Sequence, residues 1–238
     1  RGSCQPPDSK LRLQGWALSG SDEAEGEDDE AEDENDEGAF AKKSARLASF
    51  FGAANAVAER LRSVFAPFGG ALVDVALATL EAGGTKMVAA LASGPDDIRI
   101  RARIPTTTPA ETITALVSFL KKAITEHGDP ACLAIGTFGP AAIDPASPTY
   151  GHITATPKPG WTDTDLLSPL KDALGVPAIF DTDVNAALFG EARWGAAQGL
   201  KDAAYFTIGT GIGGAVMIDG QLIHGMGHTE MGHMRVKR

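Results

Sequence analysis

The 238 residues suit one large domain or two small ones, and 43% hydrophobic content is enough for a packed core. No run approaches the roughly eighteen apolar residues of a membrane-spanning helix, and two cysteines, Cys4 and Cys132, exclude a disulfide scaffold or a zinc knuckle and fit a reducing, cytoplasmic setting. The net charge of -10 is local: Asp22 to Glu37 holds 12 of the 31 acidic residues and no basic one, so the remainder is close to neutral.

An acidic run of that kind repels itself and buries nothing, so residues 1–38 are expected to be a disordered, solvating tail. The chain opens on Arg1 rather than Met and stops at Met234-Arg235-Val236-Lys237-Arg238 directly after a motif-like run, which predicts a fragment. From Phe40 to Phe68 the composition changes. Leu47, Phe50, Phe51, Ala54, Val57, Leu61, Val64 and Phe65 recur at three- and four-residue intervals beside Lys42, Lys43, Arg46, Arg60 and Arg62, the pattern of a basic amphipathic helix. Residues 39–70 are therefore read as that helix with a linker, either free or docked on the adjoining domain.

The folded region is expected from Ala71, with residues 71–195 as one lobe and 196–238 as the start of a second. Leu72 to Leu80 is apolar, runs into Glu81-Ala82-Gly83-Gly84-Thr85-Lys86, and is followed by apolar Met87 to Leu91 and then by Ile98, Ile100 and Ile104. The prediction is strand, glycine turn, strand, strand. A Gly-Gly turn lets backbone N–H groups approach a phosphate, with the Thr85 hydroxyl and the Lys86 charge beside them. An ordinary hairpin would carry the same turn.

Thr106-Thr107-Thr108-Pro109-Ala110-Glu111 reads as a cap with Pro in the first turn, opening a helix through Glu126 whose buried face is Ile113, Leu116, Val117, Leu120 and Ile124. Ala131 to Ile135 is the next strand and empties into Gly136-Thr137-Phe138-Gly139-Pro140. An aromatic, Pro-rich excursion from Pro145 to Trp161 has the composition of a recognition loop, and Thr164 to Leu174 is read as a helix.

The chain is organised around Phe180-Asp181-Thr182-Asp183-Val184-Asn185-Ala186-Ala187. Val176 to Phe180 suits a buried strand and Ala186 to Trp194 a helix, so two carboxylates and an Asn sit where a strand gives way to a helix N-terminus. In open α/β sheets ligands bind at that edge, and plain helix capping would use the same residue types. Beyond it, Ala203 to Ile208 is a strand followed by Gly209-Thr210-Gly211-Ile212-Gly213-Gly214. The glycine spacing matches a dinucleotide fingerprint, yet Ala215 to Gly220 reads as a second strand ending in an Asp-Gly turn, where the fingerprint needs a helix. Strand, glycine loop, strand offers instead a cradle of N–H groups for phosphates.

Two such cradles with a carboxylate between them resemble the sugar kinases with the actin-like ATPase (ribonuclease H-like) α/β fold. The chain resembles the ROK family, most closely its bacterial fructokinase branch, through Glu-Ala-Gly-Gly-Thr-Lys (81–86), Thr-Pro-Lys-Pro-Gly-Trp (156–161), Asp-Thr-Asp-Val-Asn-Ala (181–186), Gly-Thr-Gly-Ile-Gly-Gly (209–214) and His-Thr-Glu-Met-Gly-His (228–233). Residues 1–70 have no counterpart there. The resemblance implies that Asp183 is the general base for transfer of the ATP γ-phosphate, with Mg²⁺, to the 6-hydroxyl of D-fructose, giving fructose 6-phosphate. It further implies that Gly83, Gly84, Thr85, Lys86, Gly209, Thr210, Gly211 and Gly213 face phosphates. Thr182, Asp183, Glu230 and His233 would then face the sugar. His233 is also the family's zinc-ligand position, completed there by three later cysteines that this chain does not contain. Glu81 stands where many sugar kinases carry Asp, which the fructokinase branch accommodates. The resemblance implies a homodimer for a full-length protein. Kinases for glucose, mannose or N-acetylmannosamine are the alternative enzymes. A ROK-type sugar-responsive repressor is disfavoured because the acidic stretch would repel DNA, and a sugar-binding fragment without catalysis stays open.

Overall fold

The computed structural model describes residues 76–94, 97–208, 211–225 and 229–233. The expected acidic tail and amphipathic helix lie outside the described residues.

Strands β1 (Leu77–Ala82), β2 (Lys86–Gly94) and β3 (Asp97–Pro105) form an antiparallel meander, the arrangement expected from the glycine turn. The central strand β1 is buried almost throughout, whereas β3 alternates Ile98, Ile100 and Ile104 with Arg99, Arg101 and Arg103. Ile100 and Ile104 pack on the core, and the arginines charge an edge strand that would otherwise be open to further pairing.

Helix α1 (Pro109–His127) runs one residue past the expected end. Its start is fixed by a capping box: Thr108 Oγ1 accepts from Glu111 N, and the Glu111 carboxylate accepts in return from Thr108 N, with Pro109 in the first turn. Leu116 and Leu120 are fully buried, each stabilising the fold by about 1.5–3 kcal/mol, while Ile113 and Val117 flank the same cluster.

Strand β4 (Leu133–Thr137) pairs parallel with β1. A two-stranded ribbon of β5 (His152–Ile153) and β6 (Thr164–Asp165) comes next, then α2 (Leu167–Leu174). The expected helix from Thr164 is thus shorter at its start. Thr164 and Asp165 are held extended against Ile153 and His152, and the Asp165 carboxylate accepts from Ser168 N, so it meets the new helix from outside.

Strand β7 (Ala178–Thr182) completes a five-stranded sheet of order β3-β2-β1-β4-β7, and α3 (Asp183–Trp194) continues from it without a loop. Both β4 and β7 lie two residues later than expected. Pro177 has no N–H to give a ladder, so β7 begins after it, and in-register pairing carries β1, β4 and β7 to a common edge at Ala82, Thr137 and Thr182.

α1 and α2 cover one face of this sheet in the main core. On the other face, Ala186 of α3 packs with Leu77, Cys132 and Ala134. The opposite side of α3 receives a second, three-stranded sheet of order β10-β9-β8, built from β8 (Ala203–Ile208), β9 (Ile212–Ile218) and β10 (Gln221–Leu222). Leu188 and Val184 meet Ala215 and Met217 there. The helix that opens at the central motif is therefore held between two sheets, which explains why its composition is apolar on more than one side. The turn from β9 to β10 uses Asp219 and Gly220, both at positive φ, as the Asp-Gly expectation requires. No helix among the described residues is long and apolar enough to cross a membrane.

Candidate active site

The junction of β7 and α3 concentrates the polar groups. Thr182 is the N-cap, its hydroxyl accepting from Asn185 N at 3.3 Å. Thr182 is 4% exposed, and its hydroxyl serves the helix start. Asp183 is the first helical residue, and its Oδ1 accepts from Val184 N at 2.8 Å. Burial pushes the Asp183 carboxyl up to about 6; the Val184 hydrogen bond works against this, and the nearby charge of Glu81 adds to it. A carboxylate poised near neutrality at a sheet edge is suited to taking a proton.

The placement of Asp183 depends on a missing side chain. Glu81, Gly136 and Asp181 form one row across β1, β4 and β7. A Cβ on Gly136 would come within 3.0 Å of Ala186 Cβ and 3.5 Å of Asp183 Cα, so glycine there lets the head of α3 sit down on β4. Local composition puts Gly136 in a loop after its strand; the structure puts it inside the strand, with a packing role.

The first glycine turn sits at the same edge, at the end of β1. Gly83 N donates to Lys86 O, Thr106 Oγ1 donates to Gly83 O, and Thr106 N donates to Thr85 O, so β3 braces the turn from one side. Gly84, Thr85 and Lys86 are exposed, and a Cβ on Gly84 would meet nothing within 4 Å. An exposed glycine turn of this kind leaves the backbone of Gly84 and Thr85 open to approach.

Of the second glycine run, Gly209 and Thr210 lie outside the described residues, and Gly211 is exposed beside them. Gly213 is not in the loop but in β9, where a Cβ would come within 2.8 Å of Val184 Cγ1. Its place is explained by the approach of β9 to the first turn of α3. The segment carrying the last motif lies on the same strand: Thr229 Oγ1 donates to Gly214 O at 2.7 Å, Glu230 is exposed at φ 43°, and Met231–His233 form a 3-10 turn against β9. Glu230 and Asp183 thus hang from the two partners of one contact, β9 and α3.

The aromatic excursion is anchored rather than free. Trp161 is fully buried, donates from Nε1 to Thr107 O at 2.9 Å, and meets Phe138 edge-on. The Tyr150 hydroxyl accepts from Phe180 N at 2.9 Å. Pro157, Pro159 and Gly160 are left exposed.

Two residues of this site have no role that sequence reasoning assigns. Asp181 accepts from Asn185 Nδ2 at 2.7 Å, and its other oxygen lies 2.8 Å from Nε2 of His224. The four-residue spacing of Asp181 and Asn185 is a readable signal; nothing local marks His224.

Comparison with known proteins fits this arrangement. Residues 77–238 match the ROK family. The chain belongs to the ROK family. It is 48% identical over 155 residues to the fructokinase of Zymomonas mobilis, covering 65% of this chain and 52% of that protein. It is 44% identical over 162 residues to the fructokinase of Pediococcus pentosaceus, covering 68% and 54%. The chain spans about half the length of the curated relatives it matches. Among solved structures, a ROK glucokinase from Streptomyces griseus in complex with glucose and AMPPNP superposes with TM-score 0.55 at 28% identity, covering 68% of this chain and 51% of that one. The ROK hexokinase of Thermus thermophilus gives TM-score 0.58 at 29% identity, covering 68% and 54%. The fold is therefore the α/β fold of the ROK sugar kinases, of actin-like ATPase type, as the five motifs implied.

Metal binding divides into two cases. Among the described residues no three His, Cys, Asp or Glu side chains are grouped to hold a metal. A structural zinc site closes with four ligands, so the described residues do not form one. Mg²⁺ asks less of the protein, one or two carboxylates with the substrate's phosphates supplying the rest. Glu81 is close enough to Asp183 to affect its ionisation, beside the open 83–86 turn. Glu81 is a ligand of the type Mg²⁺ takes when it is carried in with a nucleotide.

Proposed function

We propose that the protein phosphorylates D-fructose at its 6-hydroxyl with ATP, giving fructose 6-phosphate and ADP. The observation that carries this reading is Asp183: a carboxylate desolvated enough to titrate at about 6, at the head of α3, facing the edge where the first glycine turn opens. The fructokinase relatives support fructose as the acceptor.

In this reading the sugar's 6-oxygen attacks the γ-phosphorus, the bond from that phosphorus to the β–γ bridging oxygen breaks, and Asp183 takes the hydroxyl proton. ADP leaves with the bridging oxygen. Such a transfer needs little covalent chemistry from the protein; alignment and charge stabilisation dominate. Gly83, Gly84, Thr85 and Lys86 would hold phosphate oxygens, a role shared with Gly209, Thr210 and Gly211. Glu230 would accept from sugar hydroxyls, with His233 beside it. Glu81 would hold Mg²⁺ together with the nucleotide, and the ion would supply charge neutralisation at the transferred group. Thr182 would contact the sugar and Gly213 the phosphates, besides their places at the cap of α3 and in β9.

The test is a coupled ADP-release assay with ATP, Mg²⁺ and a panel of fructose, glucose, mannose and N-acetylmannosamine. It should be run on this chain and on a version extended to the length of the fructokinase relatives. Fructose is expected to give the highest kcat/KM; preference for glucose would move the protein to the other enzyme class, and inactivity on every hexose would overturn the kinase reading.

A further inference from the structure

The carboxylate two residues before the base makes three hydrogen bonds and none of them is to a substrate-facing group. Asp181 Oδ1 accepts from Thr182 N at 2.7 Å and from Asn185 Nδ2 at 2.7 Å, and Oδ2 lies 2.8 Å from His224 Nε2. Asn185 is 2% exposed, so its amide depends on this partner. His224 sits just past β10, 43 residues away in sequence, and five residues before Thr229 begins the segment that carries Glu230. One end therefore lies in β7 of the five-stranded sheet and the other just beyond the three-stranded sheet. One is fixed to the turn that holds Asp183, the other to the chain that leads to Glu230.

We propose that Asp181 and His224 form a latch that ties the chain leaving β10 to the strand end that leads into Asp183, so that His224 acts as a positioning residue for the sugar. The inference rests on the kinase reading for the identity of the ligand. The pairing itself rests on the structure.

Three features favour a latch over an incidental surface pair. The bond is short and aimed at a carboxylate whose other oxygen is already fixed by two donors, so Asp181 is not free to turn away. The Asp181 side chain is 18% exposed against 44% for His224, so water competes mainly from the histidine side. The hydrogen bond to Asp181 also pushes the His224 imidazole up from its ordinary value against the effect of partial burial, which favours the charged partner. Asp183 takes no part in the latch, its carboxylate being turned to Val184 N. The two carboxylates of Asp181-Thr182-Asp183 thus divide the work, one holding the site together and one left for the proton.

The variants are His224→Ala, which removes the donor, and His224→Gln, whose amide N–H can still reach Asp181. Two readouts are needed. Hydrogen exchange across residues 223–233 is measured on this chain, and steady-state kinetics with fructose and ATP on the version extended to the relatives' length. For His224→Ala, exchange in the segment is expected to speed up about tenfold, as loss of one charge-assisted hydrogen bond implies, with α1 unchanged. The fructose KM is expected to rise by a similar factor while the ATP KM and kcat stay within about twofold, and His224→Gln should recover most of both effects. Unchanged exchange in His224→Ala would overturn the latch. Faster exchange with an unchanged fructose KM would overturn its role in positioning sugar and leave a purely structural bridge. If the extended wild-type enzyme phosphorylates no hexose, the kinase reading and the sugar-positioning role fall together, whereas the exchange result still decides whether the bridge exists.

Discussion

Asp183→Asn separates stability from chemistry at one atom pair. The folded protein holds the Asp183 proton more tightly than the unfolded chain, with the carboxyl raised from 3.8 to about 6. Below the lower value both states are protonated and the group is neutral with respect to folding. As pH rises through this window the unfolded chain ionises first, and above about 6 the folded state carries the whole cost of a desolvated charge. At about 1.4 kcal/mol per tenfold, that cost is about 3 kcal/mol. Asparagine keeps an oxygen for the Val184 N–H and removes the charge, giving up part of the favourable interaction with the helix N-terminus, about 0.3–1 kcal/mol. The variant should therefore be more stable than wild type by about 2 kcal/mol at pH 7.5, a rise in melting temperature of several degrees, and equal to it near pH 4. Thermal melts of both proteins at four or five pH values make the measurement. A variant that melts lower than wild type at pH 7.5, or whose advantage is the same at both ends of the range, would show that Asp183 is an ordinary helix cap whose ionisation the fold does not disfavour.

The same geometry sets three other expectations. If Asp183 must be ionised to accept the proton, kcat/KM for sugar in the extended enzyme falls about tenfold per pH unit below about 6 and levels off above it; a rate flat down to pH 5 would exclude it as the base. Gly136→Ala forces a methyl to within 3.0 Å of Ala186 Cβ, costing about 1–3 kcal/mol in a denaturant titration and lifting the head of α3 so that activity drops with stability. Cys132 is buried, and burial pushes its thiol up to about 12, so it should resist thiol reagents in the native protein and react at once in denaturant.

The sequence is legible where local rules and tertiary structure agree. α1 is readable because the Thr108–Glu111 capping box and Pro109 mark its start and apolar spacing marks its face. β8 and the Asp-Gly turn are readable because each uses the residue types that its backbone requires, whereas β9 opens at Ile212, three residues earlier than expected. The strand ends are not, since the two-residue displacement of β4 and β7 is set by register across the sheet and by Pro177, not by composition. The β5–β6 ribbon is hidden for a similar reason, being a tertiary pairing of residues whose spacing also suits a helix. At the site, the strand-to-helix switch marks Asp181 to Asn185, where capping and chemistry use the same residue types, and the glycine motifs on either side single out Asp183. Gly136 and Gly213 cannot be told from ligand-facing glycines, because the chains they admit, Ala186 and Val184, are distant in sequence. His224 is silent for the same reason: its partner is 43 residues away.

Everything proposed for the chemistry depends on Asp183 as the base for transfer to the 6-oxygen. The direct measurement is NMR of the products from ¹³C-labelled fructose, ATP and Mg²⁺, using wild type and Asp183→Asn in the version extended to the relatives' length. Phosphorus coupling at carbon 6 is expected with wild type, and a rate at least about a hundredfold lower with the variant. Phosphorylation at another carbon, or an Asp183→Asn enzyme that turns over at the wild-type rate, would contradict that role.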